Sequence, residues 1–166
     1  IEVLATEPGC ICFVDGPPLI GTPAAERGRL QPLLSYSRFW QDLATTALGR
    51  AHYRSLTSAD LAYEQLRALL ARAPAEDRRL IIALPAGYSH EQLGLLLGIA
   101  QESGAAELGL VDAALAACAL QPMPAHVVQL EIMQHRAVAT AIEQSGGERG
   151  ARRAQFEMDL GCGLAR

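Results

Sequence analysis

Hydrophobic positions change their period along the chain. From Ile1 to Gly21 they come in short runs broken by turn residues. Ile1–Ala5 and Cys10–Asp15 read as strands separated by Thr6-Glu7-Pro8-Gly9. Leu19-Ile20-Gly21 reads as a brief further strand after the turn Asp15-Gly16-Pro17-Pro18. Thr22-Pro23-Ala24-Ala25-Glu26-Arg27 predicts a short helix, with Thr22 as N-cap and Pro23 at the first helical position, where its missing N–H is tolerated. Leu30–Leu34 reads as an extended link, and Arg38–Leu48, which carries the single tryptophan, as a helix or a helical turn.

A helical period then takes over. Thr57-Ser58-Ala59-Asp60 opens a helix whose apolar stripe is Leu61, Tyr63, Leu66, Leu69 and Leu70, with Arg67 and Arg72 on the wet side. The polar, proline-bearing stretch Ala73–Arg79 ends it. Leu80–Leu84 is continuously apolar, the pattern of a strand covered on both faces. It breaks at Pro85-Ala86-Gly87 and restarts as a helix with the capping box Ser89-His90-Glu91-Gln92, running to about Ser103 with Gly104 as stop signal. Glu107–Val111 reads as the next strand and Asp112–Leu120 as an alanine-rich helix.

Gln121-Pro122-Met123-Pro124 is the clearest boundary, because the period becomes two beyond it. His126–Leu130, Ala137–Glu143 and Arg153–Asp159 read as strands of an antiparallel meander, with Ser145-Gly146-Gly147 in one turn. A β-α-β-α unit followed directly by hairpins suggests two related lobes rather than one sheet.

Composition narrows the classes. The hydrophobic share is 50% and the charged share 19%, so a core is available and the composition argues against wholesale disorder. A net charge of −4 without a basic block argues against nucleic acid or an anionic membrane as partner. All 14 basic residues are arginine, which removes Schiff-base chemistry and a phosphate-binding lysine. Asparagine is absent too, and both absences fit the codon bias of a GC-rich genome. Cys10 and Cys12 lie too close for an easy disulfide, and with Cys118 and Cys162 they lack zinc spacing, so all read as small hydrophobes in a reducing, cytoplasmic setting. No leader pattern is present, and no apolar run reaches the roughly eighteen residues of a membrane span. The chain enters a strand at Ile1 without a methionine, the pattern of an excerpt from a longer protein.

In their order, the pieces resemble the actin-like ATPase superfamily, most nearly the nucleotide-binding domain of DnaK-type chaperones. ICFVDGPPLIGTPAAERGRLQP, with Cys10 before it, is similar to the family's strand, turn, "L-hydrophobic-G-x-x-A" and downstream proline. Leu80–Gly104 is similar to "V-P-A-x-F-x-x-x-Q-R…A…A-G", with Pro85, Ala86, Tyr88 and Gln92 at matching spacing. LGLVDAALAACAL, Leu108–Leu120, resembles "E-P-T-A-A-A-L-A". The resemblance implies an α/β, ribonuclease H-like first lobe with mixed sheet and flanking helices over residues 1–120, including a small insertion at about 30–76, and an antiparallel meander opening a second lobe over 121–166.

Departures from the family set the functional expectation. Where it places the phosphate loop "D-L-G-G-G-T" on a hairpin, this chain reads Gln129-Leu130-Glu131-Ile132-Met133-Gln134-His135-Arg136. Glycines there let backbone N–H groups approach phosphate, and Ile132 and Met133 block that approach. The aspartate that positions hydrated magnesium has no counterpart at Gln129 or Leu130, and Glu131 serves only after a register slip. Arg38 is the cation nearest the family's lysine position. Val111 replaces its glutamate, with Asp112 one place later. By resemblance, Asp112, Glu131 and Arg38 are the nucleotide-binding candidates, with ATP and magnesium as the ligand class; no catalytic residue and no metal site is assigned.

Other readings of these residues are structural. Asp112 sits at the carboxyl end of a strand, where open α/β sheets bind ligands, and is equally an N-cap for the next helix. His135 and Arg136, on an outer strand, suit an anion or a solvated face. Gly161 and Gly163 read as turn chemistry, Glu7 and Asp15 as turn residues. Ser89 and His90 do not face each other as a nucleophile and base, and the capping box accounts for Ser89 and Gln92. The expectation is a degenerate actin-like module acting as a scaffold through protein partners or self-association. The alternative is an active ATPase or phosphotransferase whose first phosphate loop lies upstream of Ile1, about twenty residues earlier by hairpin size.

Overall fold

The computed structural model describes residues 3–49, 54–73, 79–119, 124–143 and 151–160. The chain divides into two compact units, residues 1–80 with 89–108, and residues 81–88 with 109–166.

The first unit opens with strands β1 (Ile11–Cys12), β2 (Leu19–Ile20) and β3 (Ser35–Tyr36), an antiparallel sheet of order β2-β1-β3. Val3–Ala5 is not a strand: these residues join no ladder among the described residues, and Val3 stays exposed. The Cys10–Asp15 strand shortens to Ile11–Cys12, both fully buried. Helix α1 (Thr22–Leu30) lies beside this sheet. Its N-cap is Gly21 rather than Thr22, which falls inside the first turn. Glu7 does the capping from outside: its Oε2 accepts from the Thr22 N–H and from Thr22 Oγ1, both at 2.8 Å. A carboxylate at a helix N-terminus is favoured by the unpaired N–H groups there. Leu30–Leu34 closes into a 3₁₀ turn at Pro32–Leu34 instead of extending.

Of Arg38–Leu48 only a turn forms, closed by Asp42 N–H to the Arg38 carbonyl at 2.7 Å. Phe39 and Leu43 bury there, which needs one turn and no longer helix. Helix α2 (Ser58–Leu70) carries the capping box Thr57/Asp60. Its inner stripe differs from the apolar one: Leu61 and Leu66 are buried, but so are Ser58 and Gln65, 1% and 3% exposed. Gln65 accepts from Trp40 Nε1 at 2.6 Å and donates to the Pro8 carbonyl at 2.8 Å. Ser58 Oγ donates to the Asp42 carbonyl and accepts from Ala44 N–H. The two side chains satisfy loop backbone that would otherwise lie unpaired in the interior. Helix α3 (His90–Glu102) has the expected capping box, and Gly104 follows it at φ 92°. Gln92 does more than cap, donating from Nε2 to the Gln41 carbonyl at 3.0 Å.

The second unit draws on β4 (Arg79–Leu84), β5 (Glu107–Asp112), α4 (Ala113–Cys118) and the meander β6 (His126–Ile132), β7 (Arg136–Glu143) and β8 (Ala151–Asp159). β4 and β5 form a two-stranded sheet. β4 is not covered on both faces; its burial alternates, and Ile81 is 73% exposed. The meander is antiparallel in the order β6-β7-β8. One face buries Arg136, Val138, Thr140 and Ile142 of β7. The other is apolar and open. Ala137, Ala139 and Ala141 of β7 lie between Val128, Leu130 and Ile132 of β6 and Phe156 and Met158 of β8, all five of which are exposed. Ser145-Gly146-Gly147, Gln121-Pro122-Met123 and Gly161-Cys162-Gly163 lie outside the described residues. Cys10, Cys12 and Cys118 are free thiols.

Candidate functional site

Chemistry-bearing side chains of the second unit gather where the β4 turn, the end of β5 and the β6–β7 hairpin meet. Asp112 closes β5 and caps α4, its Oδ1 accepting from Ala114 N–H at 2.9 Å and Leu115 N–H at 3.2 Å. The cap reading of Asp112 is therefore borne out, and its charge also lies near enough to raise the Glu131 pKa.

Glu131 is half-buried near the end of β6. Its Oε2 is buried without a hydrogen-bond partner. Burial raises its pKa above the usual carboxylate range, the Asp112 charge adds to that, and the Arg136 guanidinium opposes both. Of the candidates that the resemblance names, Asp112 and Glu131 both belong to the second unit, where the Asp112 charge acts on Glu131. The third candidate, Arg38, belongs to the first unit, where its Nε pairs with Asp42 Oδ2 at 3.4 Å.

Arg136 corrects the sequence reading most. It is neither on an outer strand nor solvated: β7 is the central strand of the meander, and the Arg136 side chain is 7% exposed. Its Nη1 pairs with Glu157 Oε1 at 3.0 Å, and its guanidinium lies 5.9 Å from the Tyr88 ring centroid. A buried guanidinium needs such partners, because desolvating an uncompensated charge costs several kcal/mol. Burial also raises the Tyr88 pKa, and Arg136 partly opposes the rise.

Gly87 completes the cluster. At φ 97° it holds a conformation that side chains disfavour, and a Cβ there would collide with the Glu157 carboxylate and crowd Arg136 Nη1. Gly87, Tyr88 and Glu157 were not singled out as a site. Period two supplies the signal for Arg136, which is in phase with the buried Val138, Thr140 and Ile142.

The β6–β7 connection is the short turn Met133-Gln134-His135, closed by Met133 N–H to the Arg136 carbonyl at 2.8 Å. Ile132 pairs with Ala137 immediately before it. Among the described residues, no group of three or more His, Cys, Asp or Glu is placed to hold a metal ion. No helix of the described residues is long and apolar enough to cross a membrane.

No protein-family model and no curated protein matches the chain. Solved structures do. The crystal structure of MreB5 of Spiroplasma citri bound to ADP superposes with a TM-score of 0.67 at 14% identity, over 93% of this chain and 45% of that one. The AMPPNP-bound form of MreB5 from the same organism gives 0.66 at 14% identity with the same coverage. The chain therefore spans less than half the length of these structures. The likeness is one of fold: this is a mixed α/β chain with the actin-like ATPase fold that the ordered motifs imply.

Proposed function

We propose that the chain is a degenerate actin-like module that works by binding proteins, as a scaffold, without efficient ATP hydrolysis. One observation supports this reading above others. At the hairpin where the family motif calls for glycines, the chain has Ile132, Met133, Gln134 and His135, and the next residue, Arg136, is held inward by Glu157 and Tyr88. Phosphate would need backbone N–H groups it can approach closely and a cation free to face it. In a DnaK-like arrangement of lobes, residues 1–120 form the first and 121–166 open the second. The apolar outer face of the meander favours self-association, since exposed apolar surface of this continuity marks an interaction site.

A second reading has support of its own. The two MreB5 structures are bound to ADP and AMPPNP, and here the Asp112 charge acts on Glu131 near the end of β5. On that reading, Asp112, Glu131 and Arg38 are each nucleotide-binding residues by resemblance, and the chain is an ATPase or phosphotransferase that uses ATP with magnesium. Calorimetry of the full-length protein with ATP and magnesium separates the two. No heat of binding and no phosphate release are expected; micromolar, magnesium-dependent binding with turnover sinks the scaffold reading. Light scattering at high concentration is expected to show self-association, which Leu130→Glu with Phe156→Glu disperses; a strict monomer before substitution refutes that part.

A further inference from the structure

Helices α2 and α3 of the first unit pack side by side and leave an open groove of about 650 Å³ between them. Its floor is apolar, formed by Tyr63 of α2 and Leu95 and Ile99 of α3. Along it α3 breaks three local rules on a single stripe. Gly94 and Gly98 sit in the helix interior, where each costs roughly 1 kcal/mol relative to alanine. No close packing explains them, because a Cβ at either position would meet nothing within 4 Å. Glu102 stands in the last turn, where the helix dipole disfavours an anion, and no basic residue there offsets it.

These choices work against α3 taken alone and agree with one another if something lies in the groove. Glycines four residues apart admit a close backbone approach, and the surface they clear is apolar. The ends of the groove are acidic, with Glu91 and Asp60 near the start of their helices and Glu102 at the far end. Asp60 is engaged with its own cap, but no ion pair among the described residues uses Glu91 or Glu102. Breaches of local rules without a local gain concentrate at functional surfaces. Apolar floor and anionic ends together favour an occupant that is apolar along its middle and cationic at its ends.

We propose that this groove docks one helix of a partner protein, with small and aliphatic residues along its contact stripe and arginine or lysine at both ends. The proposal rests on the reading of the chain as an interaction module. It is tested without nucleotide, so its failure and the failure of that reading are distinguishable.

The test is fluorescence anisotropy of the full chain with two labelled helical peptides of about 16 residues, long enough to span α3. Both carry the same Leu/Ala stripe; one ends in arginines, the other in glutamates. The arginine peptide is expected to saturate the chain, and the glutamate peptide to bind weaker by about tenfold or more. Gly94→Leu with Gly98→Leu is expected to abolish binding while Tm holds or rises, because leucine is the better helix former. Glu91→Arg with Glu102→Arg is expected to reverse the order of the peptides. The proposal is overturned by equal binding of the two, by no saturation with the arginine peptide, or by binding that the filled groove leaves unchanged. It also falls if filling the groove converts a dimer into a monomer, since the occupant is then a second copy of the chain.

Discussion

In the first unit Glu7 accepts two hydrogen bonds from Thr22 and an ion pair from Arg72 at 2.6 Å, and its pKa is pulled down. In the second, Glu131 has an oxygen buried without a partner, and its pKa is pushed up. The contrast extends to the interiors. Gln65 and Ser58 serve as hydrogen-bonding hubs for the loops around α2, so the first unit matches these buried polar groups. The meander buries a guanidinium, offsets it with Glu157 and Tyr88, and leaves a neighbouring carboxylate incompletely served. A buried charge that is only partly compensated lowers stability and persists where a site or a fold requirement keeps it. The difference therefore marks Glu131 and its neighbours in the second unit as the place where a change of protonation is least balanced by local partners.

The largest expected effect tests that mark directly. Arg136→Ala strips the cation from Glu157 and from the vicinity of Glu131, and is expected to destabilise by about 2–3 kcal/mol in urea unfolding, chiefly through the cavity left by a buried side chain, since the exposed Glu157 stays hydrated. A loss under about 1 kcal/mol erases the contrast between the units. Next, Gln65→Leu removes the buried hydrogen bonds from Trp40 Nε1 and to the Pro8 carbonyl and is expected to cost about 2 kcal/mol. Because Trp40 is the only tryptophan, its fluorescence reports this change in the first unit alone. Gly87→Ala introduces a Cβ at φ 97° against the Glu157 carboxylate and is expected to cost about 1–2 kcal/mol by thermal unfolding.

The smallest effect is also the sharpest, because its sign differs between the units. The depressed pKa of Glu7 gives stability that is present above its ordinary value of 4.5 and lost as pH falls through the lowered pKa. The raised pKa of Glu131 does the opposite: its contribution is full below 4.5 and lost as pH rises through the raised pKa. Glu7→Gln is therefore expected to lower Tm at neutral pH and to matter less in acid. Glu131→Gln is expected to raise Tm at neutral pH, with the gain fading in acid. Shifts of the same sign in both variants across a pH series break the comparison.

Much of the fold was legible before any coordinates. The capping boxes at Thr57 and Ser89, the stop at Gly104 and the Asp112 cap rest on residue types whose local hydrogen bonding is nearly independent of distant neighbours, and the three strands of the meander on an alternation of period two that the chain carries by itself. The ordered motifs from Cys10 to Leu120 implied an actin-like fold, and the structural likeness agrees with them. The readings that failed depended on distant partners. Val3–Ala5 has the composition of a strand and joins no ladder among the described residues. Leu80–Leu84 has the composition of a doubly covered strand, yet it belongs to a two-stranded sheet. Arg136 has the composition of a surface residue, but the strand order put it in the middle of a sheet.

The candidate site divides along the same line. The resemblance named Asp112 and Glu131 as candidate carboxylates and pointed to the missing glycines of the hairpin, and the sequence by itself marked the break after Leu84. It could not identify Gly87, Tyr88, Arg136 and Glu157 as one cluster, because those residues come from three separate segments whose approach is set by sheet pairing. Caps, turns and periodicity are written within a few residues, so the chain determines them by itself. Burial of a charge, the partner that offsets it and the direction of its pKa depend on which segments the tertiary structure brings together, and only the fold decided those.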